Sequence, residues 1–338
     1  MTSQPWLLDP DNRLEVERYL VERRLVAGDA LPITIERAGA GNMNLALRVT
    51  PAGGRSFILK QGRPWVEKYP QIAAPFDRTL IEAAFYAEVQ RDRHVAALMP
   101  AVLLVDEINH VLALEDIGSG GDLTPIYANR AIPESTVDAL LDWLARLAAL
   151  TIPGDRRETF ANRAMRALNH EHMFCFPLRQ GNGLDLDAIT PGLAAAASAL
   201  ASDHAYVEAV DTTGRRYLAD GDTLVHGDYF PGSWLTTDEG VRIIDPEFCF
   251  LGEPEVDCGI LAAHLMLACC APAVLARVAA AAAKRGLNLA LIQAYAGVEI
   301  MRRLIGVAQL PLAHGIEVKR ALLQQSRRLL LEPDKGLA

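Results

Sequence analysis

The alternation of apolar and polar residues in the first third of the chain predicts a small sheet with one helix. Segments 31–38, 44–50 and 55–61 are rich in apolar and β-branched residues and are separated by glycine-bearing turns, which is typical of strands. Segment 77–95 repeats apolar residues at helical spacing, and segment 101–118 holds two further strand-like runs. Three strands, a helix and two strands predict a small α+β lobe.

Beyond Gly118 the pattern becomes mainly helical. Segment 134–151 opens with a capping signal at Ser135 or Thr136 and then keeps helical apolar spacing. Further helices are predicted at 191–203, 257–270, 272–285, 288–309 and 316–331. The exception is segment 222–250, where two short extended pieces flank a polar turn.

The segment EDIGSGGD, residues 115–122, has the composition of a hinge between these two regions. We therefore expect an N-terminal nucleotide-binding lobe of residues 1–116 and a larger, mainly helical C-terminal lobe of residues 117–338. The chain length of 338 residues and the hydrophobic fraction of 51% are sufficient for two cores. The predicted fold class is bilobal α+β.

Charge and cysteine usage exclude several classes of protein. The net charge of -9 argues against nucleic-acid binding, which usually needs a basic surface. Segment 258–276 lacks charged residues, but His264 and Pro272 interrupt it, which favours two buried helices over a membrane span. Five cysteines without a CxxC pair predict free thiols in a reducing compartment. Because the N-terminus also lacks a secretory pattern, we expect a cytoplasmic protein.

Asp245 and Glu247 stand two residues apart behind an apolar run. Because an extended backbone places such residues on one side, the two carboxylates would converge and repel each other unless a cation lies between them. Magnesium prefers one or two carboxylates together with substrate phosphates. A solvated Asp-Pro turn is the alternative, although Ile243, Ile244 and Phe248 argue against full exposure.

Asp228 follows a strand-like run and begins an irregular loop, which is a suitable position for a general base. Ser233 lies five residues further on and would orient Asp228 or help to hold a metal. The alternative for Ser233 is a turn serine that bonds to its own backbone. His226 is expected to be structural, with its ring nitrogens bonded to the loop backbone.

Lys60 lies on a predicted strand, where a lysine on a buried face needs an anion. A phosphate or Glu82 of the following helix would serve, and the alternative is a solvated lysine on an edge strand. The turn GAGNMN, residues 39–44, could present backbone N–H groups to a phosphate or could form a plain hairpin. The order of glycine turn, strand lysine, helical glutamate, hinge, HxD loop and DxE pair matches the phosphoryl-transfer template of protein kinases.

Arg302 and Arg303 are adjacent on a predicted helix. Arg302 falls within the apolar arc of that helix, which is formed by Leu291, Tyr295, Val298 and Ile305. A buried arginine needs an anion or several acceptors, and the alternative is an arginine that snorkels to the rim. Arg303 points to one side of the arc and by its position alone is expected at the surface.

Several of these motifs resemble those of the methylthioribose kinases, within the aminoglycoside phosphotransferase and choline kinase superfamily, whose fold is protein-kinase-like. The similar motifs are HGDYFPGS (226–233), IDPEFCFLGEP (244–254), GAGNMNLALRV (39–49), ILKQGRPWVEKYP (58–70), DRTLIEAAFY (77–86), LALEDIG (112–118), LNHEHMFCFP (168–177) and MRRLIGVAQLP (301–311). The similarity extends from about residue 36 to residue 311.

The resemblance implies an ATP- and Mg²⁺-dependent kinase of a small sugar. Asp228 would activate the sugar hydroxyl with Ser233 beside it, Asp245 and Glu247 would bind magnesium, and Arg302 and Arg303 would hold the sugar. The nucleotide would be bound by Gly39, Gly41, Asn42, Asn44, Lys60 and Glu82, with the adenine at the backbone of Glu115, Asp116 and Ile117. The resemblance also suggests a homodimer.

The acceptor expected from the resemblance is 5-methylthioribose, phosphorylated at its anomeric hydroxyl in methionine salvage. Residues 229–231 are Tyr-Phe-Pro, where the family has Leu-His-Thr, and this departure beside the acceptor leaves the acceptor open. Another sugar, an amino alcohol or an aminoglycoside are alternatives. A non-catalytic protein that binds nucleotide or sugar is an alternative of a different class.

Overall fold

The chain divides into two units in a computed structural model, which describes residues 5–39, 43–118, 120–310 and 312–337. The first unit comprises the described residues up to Gly118 together with Arg242–Glu247. The second comprises Gly120–Val241 and the described residues from Phe248 onward.

The first unit is built on a five-stranded antiparallel sheet with the order β1-β2-β3-β7-β6. Its strands are β1 (Thr34–Arg37), β2 (Leu45–Thr50), β3 (Phe57–Gln61), β6 (Val102–Asp106) and β7 (Val111–Glu115), and a separate hairpin joins β4 (Trp65–Val66) to β5 (Tyr69–Ala73). Leu45, Leu47 and Val49 alternate into the core because successive strand residues face opposite sides. In the register of the sheet, Lys60 lies between Ala46 and Leu112.

Three helices accompany this sheet: α1 (Arg13–Glu22), α2 (Arg78–Val89) and α3 (Arg93–Ala97). Helix α1 was not predicted; it begins at the side-chain cap Asn12 and buries Val16 and Leu20 against the sheet core. Helix α2 buries Glu82 together with apolar residues of the same face, and this places a carboxylate inside the unit.

The second unit is mainly helical. Its helices are α4 (Ile126–Asn129), α5 (Glu134–Ala148), α6 (Arg163–His170), α7 (Leu186–Ile189), α8 (Leu193–Ala201), α9 (His204–Leu218), α10 (Glu255–Leu267), α11 (Pro272–Lys284), α12 (Leu289–Ile305) and α13 (Ile316–Leu331). Short strands β8 (Thr223–Val225), β9 (Trp234–Thr237) and β11 (Phe250–Gly252) also lie here, whereas β10 (Gly240–Ile243) leads the chain back into the first unit. β8 pairs antiparallel with β11.

Helices α10 and α12 form the centre of the second unit. All thirteen residues of α10 are buried. The close approach of the two helices depends on Gly259, because a β-carbon there would lie 2.5 Å from Cβ of Tyr295 and 2.9 Å from the carbonyl oxygen of Ile292. The charge-free segment forms α10 and α11, which separate before Pro272, as predicted.

Most of the predicted helices are confirmed, and with them the α+β class with a small sheet unit and a larger helical unit. The helices α1, α6 and α9 and the short helices α4 and α7 were missed. The five cysteines are free thiols, as expected. Within the described ranges, the helices are all too short or too polar to cross a bilayer.

Candidate active site

Lys60 on β3 is the centre of a buried ionic cluster in the first unit. Its ammonium donates to Oε2 of Glu82 at 2.6 Å and to Oδ1 of Asp245 at 2.5 Å. Burial by itself lowers the pKa of Lys60, but the carboxylates of Asp245 and Glu82 hold it well above its usual value. The expected ion pair of Lys60 with Glu82 is therefore present, and the alternative of a solvated lysine is wrong.

Asp245 and Glu247 have different surroundings. The extended backbone expected for this pair is wrong, because Asp245 adopts a left-handed conformation with φ of 69°. The Asp245 side chain is 39% exposed, whereas Glu247 is buried and accepts a hydrogen bond from Nδ2 of Asn44 at 2.8 Å. Burial and the neighbouring Asp245 raise the pKa of Glu247 to about 8, against the lowering effect of Lys60 and Arg78. A solvated turn is therefore excluded for Glu247.

Arg78 at the start of α2 is a buried residue of this cluster that we did not predict as a site residue. Its Nε donates to Oδ1 of Asn44 at 2.7 Å and lies 3.6 Å from Oε2 of Glu247. Its other nitrogens donate to the backbone carbonyls of Met43, Arg63, Trp65 and Pro75. The sequence signal was the four-residue spacing of Arg78 and Glu82, which places both on one face of a helix.

The composition of the cluster suits a divalent cation. Three carboxylates, those of Glu82, Asp245 and Glu247, accompany the two cations Lys60 and Arg78. Among the residues that the structure describes, three or more metal-ligating side chains do not gather into a complete protein site. Magnesium normally takes only one or two carboxylates and completes its shell with water and phosphate. Asp245 and Glu247 therefore fit as its protein ligands.

The glycine turn and the hinge contribute less direct information. Gly39 has a positive φ of 71°, while Gly41 and Asn42 lie outside the described residues. The backbone N–H of Glu115 donates a hydrogen bond to the backbone carbonyl of Ala101. Of the remaining hinge residues, Ile117 is half-buried and the carboxylate of Asp116 accepts hydrogen bonds from Arg48 and Ser56. Asn44, by contrast, bridges Arg78 and Glu247 directly.

In the second unit, the loop 226–233 is held by the start of α10. The backbone N–H groups of His226 and Gly227 donate to the carboxylate of Asp257 at 2.7 and 2.9 Å. Gly227 has φ of 84° and passes close to the carbonyl of Phe248, so that only glycine fits. The hydroxyl of Ser233 donates to the backbone carbonyl of Asp228 at 3.1 Å. Ser233 thus fixes the loop backbone, and within the described part of the chain it forms no hydrogen bond with the Asp228 carboxylate.

The aromatic residues of the loop are integrated into the core. Tyr229 is fully buried, stacks on Trp143 with ring centroids 5.4 Å apart, and donates to the carbonyl of Leu140 at 3.1 Å. Phe230 presents its ring to the guanidinium of Arg303, 4.5 Å from the ring centroid. Loop residues 229 and 230 therefore position the loop and its charged neighbour.

Asp228 is paired with the two arginines of α12. Its Oδ1 accepts a hydrogen bond from Nη2 of Arg303 at 3.0 Å and lies 3.5 Å from Nη1 of Arg302. Arg302 and Arg303 are 5% and 4% exposed. The surface position expected for Arg303 is therefore wrong, and so is the snorkelling alternative for Arg302. Both arginines also bond to Glu299, one turn earlier on the same helix, at 3.0 and 2.5 Å.

Glu299 in turn contacts His264 of α10. The Nε2 atom of His264 lies 3.0 Å from Oε1 of Glu299, and its Nδ1 lies 2.7 Å from the hydroxyl of Tyr127. Burial lowers the pKa of His264 to about 4, so that the ring is neutral at pH 7. Burial raises the pKa of Glu299, but Arg302 and Arg303 more than compensate and hold it well below its usual value.

Two nitrogen atoms near this cluster lack a hydrogen-bond partner among the residues that the structure describes. The Nε of Arg302 and the Nδ1 of His172 are buried without a hydrogen bond. His172 lies on a π-helical turn, Glu171–Cys175, and such turns are frequent at functional sites. His172 was not among the predicted site residues, although the motif that contains it, LNHEHMFCFP, was recognised as family-like.

Comparisons with known proteins agree with these features. A family model described as the phosphotransferase enzyme family matches residues 34–297. The methylthioribose kinase of Exiguobacterium sibiricum is 26% identical over 249 residues, which cover 70% of this chain and 62% of that protein. The methylthioribose kinase of Geobacillus kaustophilus is 25% identical over an alignment of 362 positions, which covers 90% of this chain and 88% of that protein. The chain thus spans less than two thirds of the first of these relatives and most of the second.

Solved structures show the same fold at low sequence identity. Spectinomycin phosphotransferase APH(9)-Ia, in complex with ADP and spectinomycin, aligns with a TM-score of 0.54 and 14% identity over 95% of this chain and 98% of that one. An ethanolamine kinase of Plasmodium vivax aligns with a TM-score of 0.57 and 11% identity over 96% and 90%. The predicted protein-kinase-like fold and the resemblance to methylthioribose kinases are confirmed. Since the family model covers most of the chain, the protein belongs to the phosphotransferase enzyme family.

Proposed function

We propose that the protein is an ATP- and magnesium-dependent kinase that transfers the γ-phosphate to a hydroxyl of a small sugar, with 5-methylthioribose as the preferred acceptor. The observation that carries the proposal is Lys60, a charged lysine held between the buried Glu82 and the part-exposed Asp245. A lysine fixed in this way is suited to phosphate oxygens.

The residues of the first unit would bind the nucleotide. Lys60 would contact the phosphates, and Glu82 would keep it in place. Asp245 and Glu247 would hold magnesium, which neutralises phosphate charge when bound. Asn44 and Arg78 would fix Glu247, since both contact its Oε2. The glycine turn from Gly39 to Asn44 and the backbone from Glu115 to Ile117 would complete the nucleotide site.

The residues of the second unit would bind and activate the acceptor. As the acceptor oxygen forms its bond to the γ-phosphorus and the bond to the leaving ADP oxygen breaks, Asp228 takes the hydroxyl proton. The neighbouring Arg302 and Arg303 offer hydrogen-bond donors only, which suits a polyhydroxylated acceptor better than choline or an aminoglycoside. The names of the relatives support methylthioribose in particular.

A non-catalytic nucleotide- or sugar-binding protein is the alternative of another class. The retained Asp228, Lys60, Asp245 and Glu247 favour an enzyme. The test is an ATP-consumption screen over methylthioribose, other pentoses, choline and aminoglycosides, with Asp228→Asn as the matched variant. We expect turnover with methylthioribose and at least a 100-fold loss, roughly, in Asp228→Asn.

The outcomes separate the levels of the proposal. Turnover with another panel member but not with methylthioribose would remove the acceptor assignment and keep the kinase. No turnover with any acceptor, together with thermal stabilisation by ATP or a sugar, would establish the binding protein instead.

A further inference from the structure

Four buried side chains of the second unit and the half-buried Asp228 form one continuous chain of contacts that ends at Asp228. In order they are Tyr127, His264, Glu299, Arg303 and Asp228, with successive polar atoms 2.7, 3.0, 2.5 and 3.0 Å apart. They come from four separate segments of the chain. Such an assembly is costly to bury unless its members satisfy one another.

Glu299 is the central residue of this chain because three side chains bond to its carboxylate. Its Oε1 receives hydrogen bonds from His264 and Arg303, and its Oε2 receives one from Arg302. The carboxylate is fully buried. Glu299 and Asp228 together balance the charges of the two arginines, so that removal of either carboxylate would leave a buried cation uncompensated.

His264 braces Glu299 as a neutral donor. Because Glu299 is a carboxylate and can only accept, the partners assign the ring proton to Nε2, and Nδ1 then accepts from the Tyr127 hydroxyl. With both ring nitrogens bonded, the imidazole has one orientation. Tyr127 therefore sets the tautomer that Glu299 requires.

The two arginines differ in which of their nitrogen atoms form hydrogen bonds. Arg303 donates from Nε to Glu299, from Nη2 to Asp228 and from Nη1 to the carbonyl of Ala308 at 3.4 Å. Its guanidinium lies over the ring of Phe230. Arg302 keeps a buried Nε without a partner. Both contacts to Asp228 are to Oδ1, and the residues that the structure describes provide no hydrogen bond to Oδ2.

We propose that Glu299, braced by His264 and Tyr127, is a positioning residue that holds Arg303 against Oδ1 of Asp228 and so presents Oδ2 to the acceptor hydroxyl. Arg303 then acts through Asp228. This inference rests on the proposed function, since it assigns residues that prepare the general base of that reaction.

The kinetic test compares Glu299→Gln, His264→Leu and His264→Gln with the parent, using ATP and methylthioribose or the panel member that is turned over. Glu208→Gln, an exposed carboxylate of the same unit, is the control. We expect Glu299→Gln and His264→Leu to lower kcat about 100-fold per folded molecule while the acceptor KM changes by less than about threefold. His264→Gln keeps an N–H donor for Glu299 and should recover at least about tenfold of that loss.

These outcomes distinguish positioning from a merely structural or substrate-binding role. Loss of activity only in proportion to the unfolded fraction overturns the inference, and so does a rise in acceptor KM with unchanged kcat. Equal effects of His264→Gln and His264→Leu also overturn the bracing role of His264.

A second measurement does not depend on turnover. ¹⁵N NMR of the Arg303 side chain reports whether its Nε–H is protected and its guanidinium rotation slow. We expect both in the parent and neither in Glu299→Gln. A mobile Arg303 in the parent, or no change in the variant, overturns the inference. If the parent consumes no ATP with any acceptor but Arg303 is immobilised by Glu299, the proposed function fails and the positioning device stands.

Discussion

Charged residues buried inside each unit lie beside residues of opposite charge, and Lys60 shows how this pairing affects stability. Lys60 has a side chain only 9% exposed and Glu82 has none exposed. Lys60→Met would leave Glu82 buried beside Asp245 without the closest cation. We expect the free energy of unfolding to fall by about 3 kcal/mol, measured by urea denaturation, and ATP turnover to be lost.

The matched controls are Lys284→Met, an exposed lysine, and the double variant Lys60→Met/Glu82→Leu. The double variant should regain most of the stability, since no uncompensated buried carboxylate is left at Glu82, but it should remain inactive. Equal stability of Lys60→Met and the parent would contradict a buried ion pair between Lys60 and Glu82.

Asp245 carries the second prediction at this scale. Since we propose Asp245 as a carboxylate ligand of Mg²⁺, its replacement by a neutral amide in Asp245→Asn should raise the Mg²⁺ concentration for half-maximal ATP consumption about tenfold or more. Asp238→Asn, an exposed residue on a turn, is the control and should match the parent. In the parent, chelation of Mg²⁺ should abolish turnover reversibly; turnover that persists without divalent ions would contradict the assignment.

At the residue scale, the sequence indicated which side chains carry the chemistry better than how they are placed. Lys60 was matched to Glu82 because a strand lysine on a buried face needs an anion. Arg303 was expected at the surface because a helix was assumed to have a solvent side, and α12 has almost none over its last three turns. The left-handed backbone of Asp245 could not be predicted, since the residue before a proline normally favours an extended conformation.

At the scale of elements, the contact between α10 and α12 depends on small residues at the crossing. Gly259→Ala would place a methyl group 2.5 Å from Cβ of Tyr295. We expect the free energy of unfolding to fall by about 2 kcal/mol, measured by urea denaturation, because the helices must move apart. Gly154→Ala is the control, since a β-carbon there meets nothing within 4 Å. A Gly259→Ala protein as stable as the control would show that the helices are not closely packed.

The missed helices have a physical explanation. Helix α9 contains Gly214, which weakens a helix signal by about 1 kcal/mol relative to alanine. A β-carbon at Gly214 would lie 2.7 Å from Nε2 of His170, so that tertiary packing requires the poor helix former. Helix α6 has only eight residues, and α1 is largely polar outside its buried face. The longer, strongly periodic helices α5, α11 and α13 were predicted because their apolar spacing alone decides the structure.

At the scale of the whole molecule, buried histidines predict a pH dependence of stability. Burial lowers the pKa of His110, His170, His172 and His264 below the ordinary value of 6.5, in the last case to about 4. At these histidines the unfolded chain takes up protons first as the pH falls, so that their contribution to stability is lost from about pH 6.5 downward, whereas the raised pKa values of Glu82 and Glu247 act in the opposite direction. For His264 the loss is complete near pH 4 and amounts to about 3 kcal/mol.

The measurement is the free energy of unfolding by urea at a series of pH values between 7 and 5. The stability of the parent relative to His264→Gln should fall as the pH falls, because only the parent loses the contribution of His264, and the other shifted groups are common to both proteins. A stability difference between the two proteins that is constant over this range would contradict the neutral, buried state of His264.

The assembly of the whole molecule was the least predictable from the sequence. Residues Arg242–Glu247 belong to the first unit although the chain on both sides belongs to the second. Hydrophobic periodicity reports local structure only and carries no information on such a long-range association. The motif resemblance supplied what periodicity could not, since it linked Asp245 and Glu247 to the lysine strand in one family pattern.

Helix α10 has a consequence for how this protein could acquire new acceptors. The helix supplies Asp257 to the backbone at 226–227 and His264 to Glu299, and all of its residues are buried. A substitution in α10 therefore changes both the stability of the fold and the geometry of the loop at 226–227. Directed evolution toward another acceptor should therefore leave α10 unchanged and accumulate its adaptive substitutions at half-buried positions such as His172.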